Sequence, residues 1–348
     1  MQWSLRSIFA SALVLLAANP VISCPVSVNN RDVLPLVVNT VYQFDNTTWN
    51  ENLAVRENGK LLVTRLDTPI LMQVDPTNAV APVTVANFSS EYAGLLGITE
   101  TLTDIFYVVA AAPFDDDFVK TSGVISVFKV DMNTFNLNDS GAITSAAEVT
   151  KVADISTAGF LNGMTTLNDV LGYVLIADSY NGVVYRLDVY TGNYTIIIDD
   201  DNMKYLSDSI TNLGVNGLKI RDSYLYWSNS GNPIFCRIPI NDLGEATGAS
   251  EVVAAVDSAD DFVFRADGTA WMAQNQIESL SVVKDGVTTL VAGNSYSTIL
   301  AGVTAGAFGR LSTDSNILYL TTNGGLAIPV NGTIVVGGEI ASIDTSVY

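Results

Sequence analysis

The sequence contains no histidine among its 348 residues. Its absence excludes Ser-His-Asp and Cys-His catalysis, histidine zinc sites and imidazole acid–base chemistry. A glycine-rich phosphate loop and a Gly-x-Ser-x-Gly elbow are also lacking, so the common nucleotide-binding and serine-hydrolase signatures are excluded. Any chemistry must therefore use carboxylates, amides, hydroxyls, Lys, Arg, a bound cation or the shape of a pocket.

Charged residues are scarce and unbalanced. They make up 15% of the chain, whereas apolar residues reach 48%. The 16 Lys and Arg are outnumbered by 36 Asp and Glu, which gives a net charge of −20 at pH 7. Such a surface repels nucleic acid, so we expect no nucleic-acid partner.

The first 23 residues have the pattern of a secretory signal peptide. Arg6 precedes an apolar run from Ile8 to Ala18, and small residues at Val21-Ile22-Ser23 suit a cleavage site. The run is too short for a comfortable membrane span, so we expect no stable membrane insertion. An N-terminal anchor or a buried strand is the alternative. We predict a secreted chain whose mature part is residues 24–348.

Five Asn-x-Ser/Thr sequons are consistent with export, because N-glycosylation takes place in the secretory pathway. The acceptor residues are Asn46, Asn87, Asn138, Asn193 and Asn331.

A short phrase recurs six times along the chain: one or two small or polar residues, followed by an apolar residue that opens a strand. Its copies start 44 to 66 residues apart, a period typical of propeller blades or solenoid units. The copies are Glu51-Asn52-Leu53, Leu96-Gly97-Ile98, Asn162-Gly163-Met164, Asn216-Gly217-Leu218, Asp260-Asp261-Phe262 and Gly306-Ala307-Phe308.

Each phrase is followed by a turn and a second strand rich in β-branched and aromatic residues, and no sustained helical period appears after residue 30. We therefore predict an all-β, six-bladed β-propeller formed by residues 24–348 as one domain. The segments Leu34–Tyr42 and Thr333–Ile340 are expected to pair and close the ring. A pair of β-sandwiches or a β-helix fits the repeat less well.

The two cysteines, Cys24 and Cys236, have two interpretations. They could form a disulfide that ties the mature N-terminus to the fourth blade, which an oxidising compartment allows. Alternatively, Cys236 is a buried apolar residue within Ile234–Ile238.

Four phrases begin with an oxygen-bearing side chain: Glu51, Asn162, Asn216 and Asp260. Because the innermost strands of a propeller enter the channel from the same end, these side chains are expected to converge. Two carboxylates and two amides suit a hard cation such as Ca²⁺. Taken singly, each could instead be a turn residue that precedes a strand.

The order and spacing of these four residues resemble the metal site of the senescence-marker-protein/gluconolactonase family of six-bladed propellers. The resemblance implies that Glu51, Asn216 and Asp260 are divalent-cation ligands and that Asn162 lies beside the substrate. One departure is that Asp260 is followed by Asp261 rather than by Gly, so the two aspartates could exchange roles.

A further resemblance extends over nearly all of the mature chain. Segments such as Glu51–Arg56, Leu62–Leu66, Phe160–Met164, Ala307–Arg310 and Leu320–Gly325 resemble a secreted fungal branch of that superfamily. This branch includes the hetero-Diels-Alderases of tropolone-sesquiterpenoid biosynthesis, which add a humulene-type alkene to a tropolone quinone methide.

Three functions are compatible with these features. A pericyclase needs an apolar pocket and polarising groups, but no histidine and no organic cofactor. A metal-dependent lactonase would use the cation to polarise a carbonyl and activate water. A secreted binding protein would use the same channel without catalysis. We expect apolar small-molecule substrates as partners, and the sequence leaves the oligomeric state open.

For a cycloaddition, a cation or amide donor beside the heterodiene oxygen would stabilise the developing negative charge. We predict Arg65, Asn229 and Asn162 in this role. The substrate-binding residues are predicted from the same strand ends and adjoining loops: Asp67, Trp227, Trp271, Gln274 and Asn275. Alternatively, Arg65 pairs with Asp67 and the tryptophans fill the space between blades.

Overall fold

The structure is a computed structural model that describes residues 34–348. These residues form six four-stranded antiparallel sheets arranged as the blades of a ring. The predicted all-β, six-bladed propeller is therefore confirmed. Two single-turn 3-10 helices, Asp201–Met203 and Asn275–Ile277, are the helical elements of the described part.

The chain enters through β1 (Val38–Asn46), the outermost strand of blade six. The remaining blades are given from the channel outward. Blade one contains β2 (Asn50–Val55), β3 (Leu61–Arg65), β4 (Ile70–Val74) and β5 (Val83–Asn87). Blade two contains β6 (Gly94–Glu100), β7 (Ile105–Ala111), β8 (Ile125–Asp131) and β11 (Glu148–Ile155). A separate small ribbon is formed by β9 (Asn136–Leu137) and β10 (Ile143–Ser145).

The last four blades follow the same plan. Blade three contains β12 (Leu161–Asn168), β13 (Tyr173–Asp178), β14 (Val183–Asp188) and β15 (Tyr194–Asp199). Blade four contains β16 (Val215–Arg221), β17 (Tyr224–Asn229), β18 (Ile234–Pro239) and β19 (Glu251–Ala255). Blade five contains β20 (Ala259–Phe264), β21 (Ala270–Gln274), β22 (Ser279–Lys284) and β23 (Val287–Gly293). Blade six contains β24 (Val303–Phe308), β25 (Ile317–Thr322), β26 (Gly337–Asp344) and β1.

The ring closes through the two ends of the described chain. β1 pairs antiparallel with β26, with Val38 opposite Ile343 and Thr40 opposite Ala341. The predicted closure is confirmed, although both strands lie about four residues further along the chain than their sequence pattern indicated. Closure in this way covers the outer edge of β26 and one edge of β1, and β1 remains the outer edge of blade six.

Hydroxyl groups join neighbouring blades near the channel. Thr64 Oγ1 donates to the carbonyl oxygen of Leu96 at 2.7 Å, linking blades one and two. Thr304 Oγ1 donates to the carbonyl oxygen of Asn50 at 2.9 Å, linking blades six and one. The backbone hydrogen bonds of one blade's sheet do not extend to the next blade, so these side-chain bonds supply partners for the two carbonyl oxygens. They also hold the inner strands of neighbouring blades in register.

Every innermost strand carries a β-bulge or similar register shift at the repeated phrase. The shifts lie between Asn50 and Asn52, Leu95 and Ile98, Leu161 and Met164, Val215 and Leu218, Ala259 and Phe262, and Val303 and Ala305. A bulge re-aims the extra side chain, here toward one mouth of the channel. In blade six the equivalent residue is Thr304, so the prediction that Gly306 occupies this position is wrong by two residues.

Glycine is required after the bulge in blades two, three and four. A Cβ on Gly97 would lie 2.2 Å from the Asn162 carbonyl oxygen, and one on Gly163 would lie 2.4 Å from that of Asn216. A Cβ on Gly217 would lie 2.2 Å from Oδ1 of Asp261. Each glycine therefore lets one inner strand approach the next around the channel.

The predicted signal peptide, residues 1–23, and Cys24 lie outside the described residues. Cys236 lies on β18 in blade four and is fully buried, and its burial raises the thiol pKa to about 12. This environment is the one expected of the apolar interpretation of Cys236. Among residues 34–348 there is no helix with the length and apolarity that a membrane span requires.

Candidate active site

A cavity of about 450 Å³ lies over one mouth of the channel. Its floor is formed by the residues that begin the repeated phrase in blades one, three, four and five: Glu51, Asn162, Asn216 and Asp260. All four side chains are at least nine-tenths buried. The predicted convergence of these four residues is therefore observed, and the bulges are its structural cause.

Among residues 34–348, neither floor carboxylate forms an ion pair with Lys or Arg, and no Lys or Arg lines the cavity. Burial raises the pKa of Glu51 well above its ordinary value, and the charge of Asp260 raises it further. Burial raises the pKa of Asp260 to about 7, against hydrogen bonds from Asn275 and Asn216 that lower it. The floor is thus a buried acidic site without an internal counter-charge.

Amide groups link these carboxylates into a network. Asn216 Nδ2 donates to Asp260 Oδ1 at 2.8 Å, and Asn275 Nδ2 donates to Asp260 Oδ2 at 2.7 Å. Asn323 Nδ2 donates in turn to Asn275 Oδ1 at 3.1 Å. At the opposite side, Trp49 Nε1 donates to Glu51 Oε2 at 2.5 Å.

Asn162 differs from the other floor residues because its amide has no hydrogen-bond partner among the described residues, although only 3% of the residue is exposed. The amide atoms of Asn162 are not among the fully buried side-chain atoms that lack a partner, so they are accessible from the cavity. Asn162 is thus free to donate to, or accept from, a bound molecule.

Asp261 does not share the position of Asp260. Its carboxylate accepts from Lys219 Nζ at 2.8 Å and from Asn52 Nδ2 at 2.9 Å, and it does not line the cavity. Asp260 therefore lines the floor of the cavity and Asp261 does not, whereas the cation-binding role of Asp260 stays a prediction.

The walls of the cavity are largely apolar and aromatic, in contrast to its floor, although Asp115, Asp116, Thr211 and Gln276 also line it. The walls come from the end of blade one and from four loops, between β7 and β8, between β11 and β12, between β15 and β16, and between β25 and β26. The apolar wall residues are Trp49, Leu66, Phe114, Phe118, Phe160, Ile210, Leu213, Leu326, Ala327 and Ile328.

The structure brings one further predicted residue to the cavity and leaves six away from it. Asn275 lines the cavity through its bond to Asp260. Arg65 and Asp67 pair with each other, as the alternative interpretation held. Asp67 also accepts from the backbone N–H of Trp49 at 2.9 Å, so this pair supports the cavity wall from behind.

Asn229 and Gln274 are buried structural residues. Asn229 Nδ2 donates to the carbonyl oxygens of Asn202 and Lys204, at 3.0 and 2.9 Å. Gln274 Nε2 donates to the carbonyl oxygen of Asp257 at 2.8 Å. Their polar groups are used within the fold, so the placement predicted for them at the cavity is corrected.

Trp227 and Trp271 are also corrected, because both are buried in the packing between blades. They are 0% and 1% exposed. Trp227 donates its indole N–H to the carbonyl oxygen of Asn202, and Trp271 packs edge-on against Phe308 and Tyr348. Residues of a second strand face the neighbouring sheets, and this direction explains why neither ring lines the cavity.

No family model matches the sequence. A candidate hetero-Diels-Alderase from Phoma sp. is 30% identical over 345 residues, covering 90% of this chain and 94% of the relative. The chain belongs to the hetero-Diels-Alderase family. A second candidate member, from Sarocladium schorii, is 26% identical over 346 residues and covers 90% of this chain and 84% of the relative.

Solved structures with a similar fold include a regucalcin and a gluconolactonase. The calcium-binding regucalcin of Agrobacterium tumefaciens has a TM-score of 0.58 at 16% identity, covering 89% of this chain and 96% of the other. A gluconolactonase from Xanthomonas campestris has a TM-score of 0.55 at 14% identity, covering 90% and 92%. At these identities the likeness shows the fold alone.

The floor of the cavity fits a hard cation in its donor chemistry. It offers two carboxylates without a counter-charge and amide oxygens of Asn162 and Asn216. Residues 34–348 contain no cluster of three or more acidic or cysteine side chains that could hold a metal ion. A cation here would therefore depend on two carboxylates, amide oxygens and water, as Ca²⁺ tolerates.

The five sequon asparagines, Asn46, Asn87, Asn138, Asn193 and Asn331, are all exposed. Their exposure is compatible with glycosylation, which stays a prediction.

Sequence reasoning missed the aromatic wall. Phe114 and Phe118 lie in the long loop between β7 and β8, and Phe160 directly precedes β12. Loops carry no periodicity, so their direction could not be predicted. The usable signal was two phenylalanines beside three consecutive aspartates, Asp115–Asp117, in a segment too polar for a strand.

Proposed function

We propose that this protein catalyses a hetero-Diels–Alder cycloaddition between an apolar alkene and an oxygenated heterodiene. The observation that carries the proposal is a cavity with a buried polar floor and aromatic walls, in a chain of this family. We further propose that the partners are a humulene-type sesquiterpene and a tropolone quinone methide.

The reaction needs no general base and no redox group. The four-atom C=C–C=O unit of the heterodiene and the C=C of the alkene react together. One C–C and one C–O bond form, three π bonds are lost and one new C=C forms, so no proton or electron leaves the pair. A chain without histidine can therefore support it by confinement and polarisation.

Asn162 is the proposed donor to the heterodiene oxygen. This oxygen gains negative charge as the C–O bond forms, and the amide of Asn162 lies in the floor without an internal partner. A fixed donor in a site that excludes water is stronger than one in solution. A cation held by Glu51, Asn216 and Asp260 would supply additional polarisation of an oxygen atom when bound.

The test is incubation of the purified protein with a quinone-methide precursor and humulenol, compared with the uncatalysed mixture. We expect faster adduct formation and one dominant stereoisomer, and an Asn162→Ala variant should lose much of both. Unchanged rate and isomer ratio in the presence of the protein would overturn the proposal.

A metal-dependent lactonase is the second candidate, favoured by the acidic floor alone. The same experiment should include a lactone panel with and without added Ca²⁺. Lactone hydrolysis that depends on the cation, without cycloaddition, would favour this function. Binding of the alkene without either reaction would favour a binding protein.

We also propose that the protein enters the secretory pathway. The support is the signal-like pattern of residues 1–23 and the exposure of the five sequons. Mass spectrometry of protein from a fungal host should find the N-terminus near residue 24 and glycans on these asparagines. A retained Met1 and unmodified sequons would contradict it.

A further inference from the structure

Three phenylalanine rings form one aromatic cluster in the cavity wall. Phe114 and Phe118 stack with their ring centroids 5.8 Å apart and an interplanar angle of 19°. Phe160 meets both rings edge-on, with centroids 5.2 Å from Phe114 and 5.3 Å from Phe118. Phe160 is 2% exposed, whereas Phe114 and Phe118 are half-buried and present their remaining surface to the cavity.

The loop that carries two of these rings is internally braced. Asp115 Oδ1 accepts from the backbone N–H groups of Asp117 at 3.1 Å and Val119 at 2.9 Å. Lys120 Nζ donates to the carbonyl oxygen of Ala158 at 2.8 Å, which ties the loop to the segment before β12. The rings are therefore held in place before any ligand binds.

Phe118 adopts a left-handed backbone conformation, with φ of 60°. Among the non-glycine residues of the described chain that have positive φ, it is the one apolar side chain. The conformation is unfavourable for a bulky residue, so it persists only where the surrounding structure enforces it. Such residues are concentrated at ligand-binding sites.

Two acidic residues of the same loop, Asp115 and Asp116, also line the cavity, and both are exposed to solvent. One carboxylate oxygen of Asp115 is held by backbone N–H groups of the loop. The polar floor residues Glu51, Asn162 and Asp260 form the other part of the cavity. The cavity thus has one apolar and one polar region within the same 450 Å³ or so.

We infer that the Phe114–Phe118–Phe160 cluster is the binding subsite for the alkene partner, while the polar floor holds the oxygenated heterodiene. This inference rests on the proposed function and adds the placement of its two partners. An alkene offers no hydrogen-bonding group, so aromatic surface is the favourable neighbour for it. The heterodiene oxygen instead needs the donors of the floor.

The aromatic faces also suit the electronic course of the reaction. Electrons flow from the alkene to the heterodiene, so an alkene carbon gains partial positive charge in the transition state. The π faces of aromatic rings attract positive charge, and the attraction is stronger where water is excluded. The cluster would therefore bind the alkene and stabilise its developing charge.

Binding can be tested without turnover. Trp49 lines the cavity, so titration of the protein with humulene alone should change its fluorescence, and a Trp49→Phe variant should lose that change. Phe118→Asn removes the ring but keeps a residue that tolerates positive φ. We expect the dissociation constant for humulene to rise about tenfold or more in this variant. The matched control Phe44→Leu, on the outer strand β1, should bind humulene normally.

Steady-state kinetics distinguish the contribution of apolar contact to alkene binding from the contribution of the aromatic π faces to the transition state. Phe114→Leu keeps apolar volume, so KM for the alkene should change little while kcat falls several-fold. Thermal unfolding must show that each variant remains folded. Normal humulene affinity in Phe118→Asn, or binding of tetramethylammonium in place of humulene, would overturn the inference. If humulene binds through the cluster but no heterodiene reacts, the proposed function fails and the apolar subsite stands.

Discussion

Asn52 donates its side-chain amide to the carboxylate of Asp261 at 2.9 Å, and this bond joins blade one to blade five across the channel. The two blades are not neighbours in the ring, because blade six lies between them. The bond therefore constrains the diameter of the channel directly beneath the floor of the cavity. Lys219 completes the arrangement with a 2.8 Å ion pair to the same carboxylate.

Replacing Asp261 with Ala should destabilise the fold more than replacing an exposed aspartate. The change leaves Asn52 without its partner and Lys219 with a positive charge that is three-quarters buried. We expect a loss of about 2 kcal/mol in the free energy of unfolding, below the range for fully buried pairs. Chemical denaturation measures it, with Asp285→Asn as the exposed control. A double-mutant cycle with Asn52→Ala should show coupling, and additive losses would contradict the cross-channel bond.

Calcium should stabilise the protein through the two floor carboxylates. A ligand that binds the folded state alone adds about 2.7 kcal/mol at a concentration 100 times its dissociation constant. Thermal unfolding with Ca²⁺ and with EDTA measures the effect. Glu51→Gln and Asp260→Asn should each remove most of the response, whereas Asp285→Asn should keep it. An equal midpoint with Ca²⁺ and EDTA in the unmodified protein would argue against a cation site.

The contribution of Asp260 to the stability of the cation-free protein should fall as the pH rises from about 4 to about 7. Asp260 has a pKa near its ordinary value of 3.8 in the unfolded chain and of about 7 in the folded one. Between these values the folded state binds the extra proton, so raising the pH favours unfolding. The raised pKa of Glu51 acts in the same direction.

The groups facing Asp260 are Glu51, the Asp261–Lys219 ion pair, and the amides of Asn216 and Asn275. In EDTA, the unfolding midpoint of Asp260→Asn relative to the unmodified protein should therefore increase from pH 4.5 to 7.5. The carboxylates whose pKa is lowered in the folded state are present in both proteins, so their contributions to the pH dependence of stability cancel in this comparison. A constant difference across this range would show that Asp260 ionises normally.

Asn162 and Asn229 should respond to alanine substitution in opposite ways. Asn229→Ala removes the amide donor to the carbonyl oxygen of Lys204 and one of the two side-chain donors to that of Asn202, so we expect a loss of about 1–3 kcal/mol of stability. Asn162→Ala removes an amide without an internal partner and should leave stability nearly unchanged, or slightly increased. Cycloaddition rates, corrected for the folded fraction, should fall in the Asn162 variant only. A corrected cycloaddition rate that falls equally in both variants would support a catalytic role for Asn229.

The repeated phrase was enough to predict the ring and the four floor residues, because the order of the strands and the chemistry of each side chain can be read from short segments of the sequence. In blade six it failed by two residues: Thr304 is not marked by a following glycine or acid, and the bulge depends on pairing with β25. Register is a property of two strands, so one strand's sequence does not fix it.

The prediction of the residues that line the cavity wall was less accurate, for a different reason. Trp227 and Trp271 lie on second strands, where alternate side chains pack against the two neighbouring blades. Their size favours that burial over a position at the channel mouth. Phe114 and Phe118 reach the cavity through a loop whose path is set by local hydrogen bonds and by Lys120, and these contacts have no periodic signature.

The pairing of β1 with β26 also determines when the ring can close during synthesis of the chain. Val38 and Ile343 are partners in the last blade although about 300 residues separate them. On the ribosome, the first strand must therefore wait, unpaired, until nearly the whole chain has emerged. The nascent ring stays open during that interval, and its unfilled strand edges are available to other chains. Productive folding of this protein thus depends on protecting β1 until the last blade arrives.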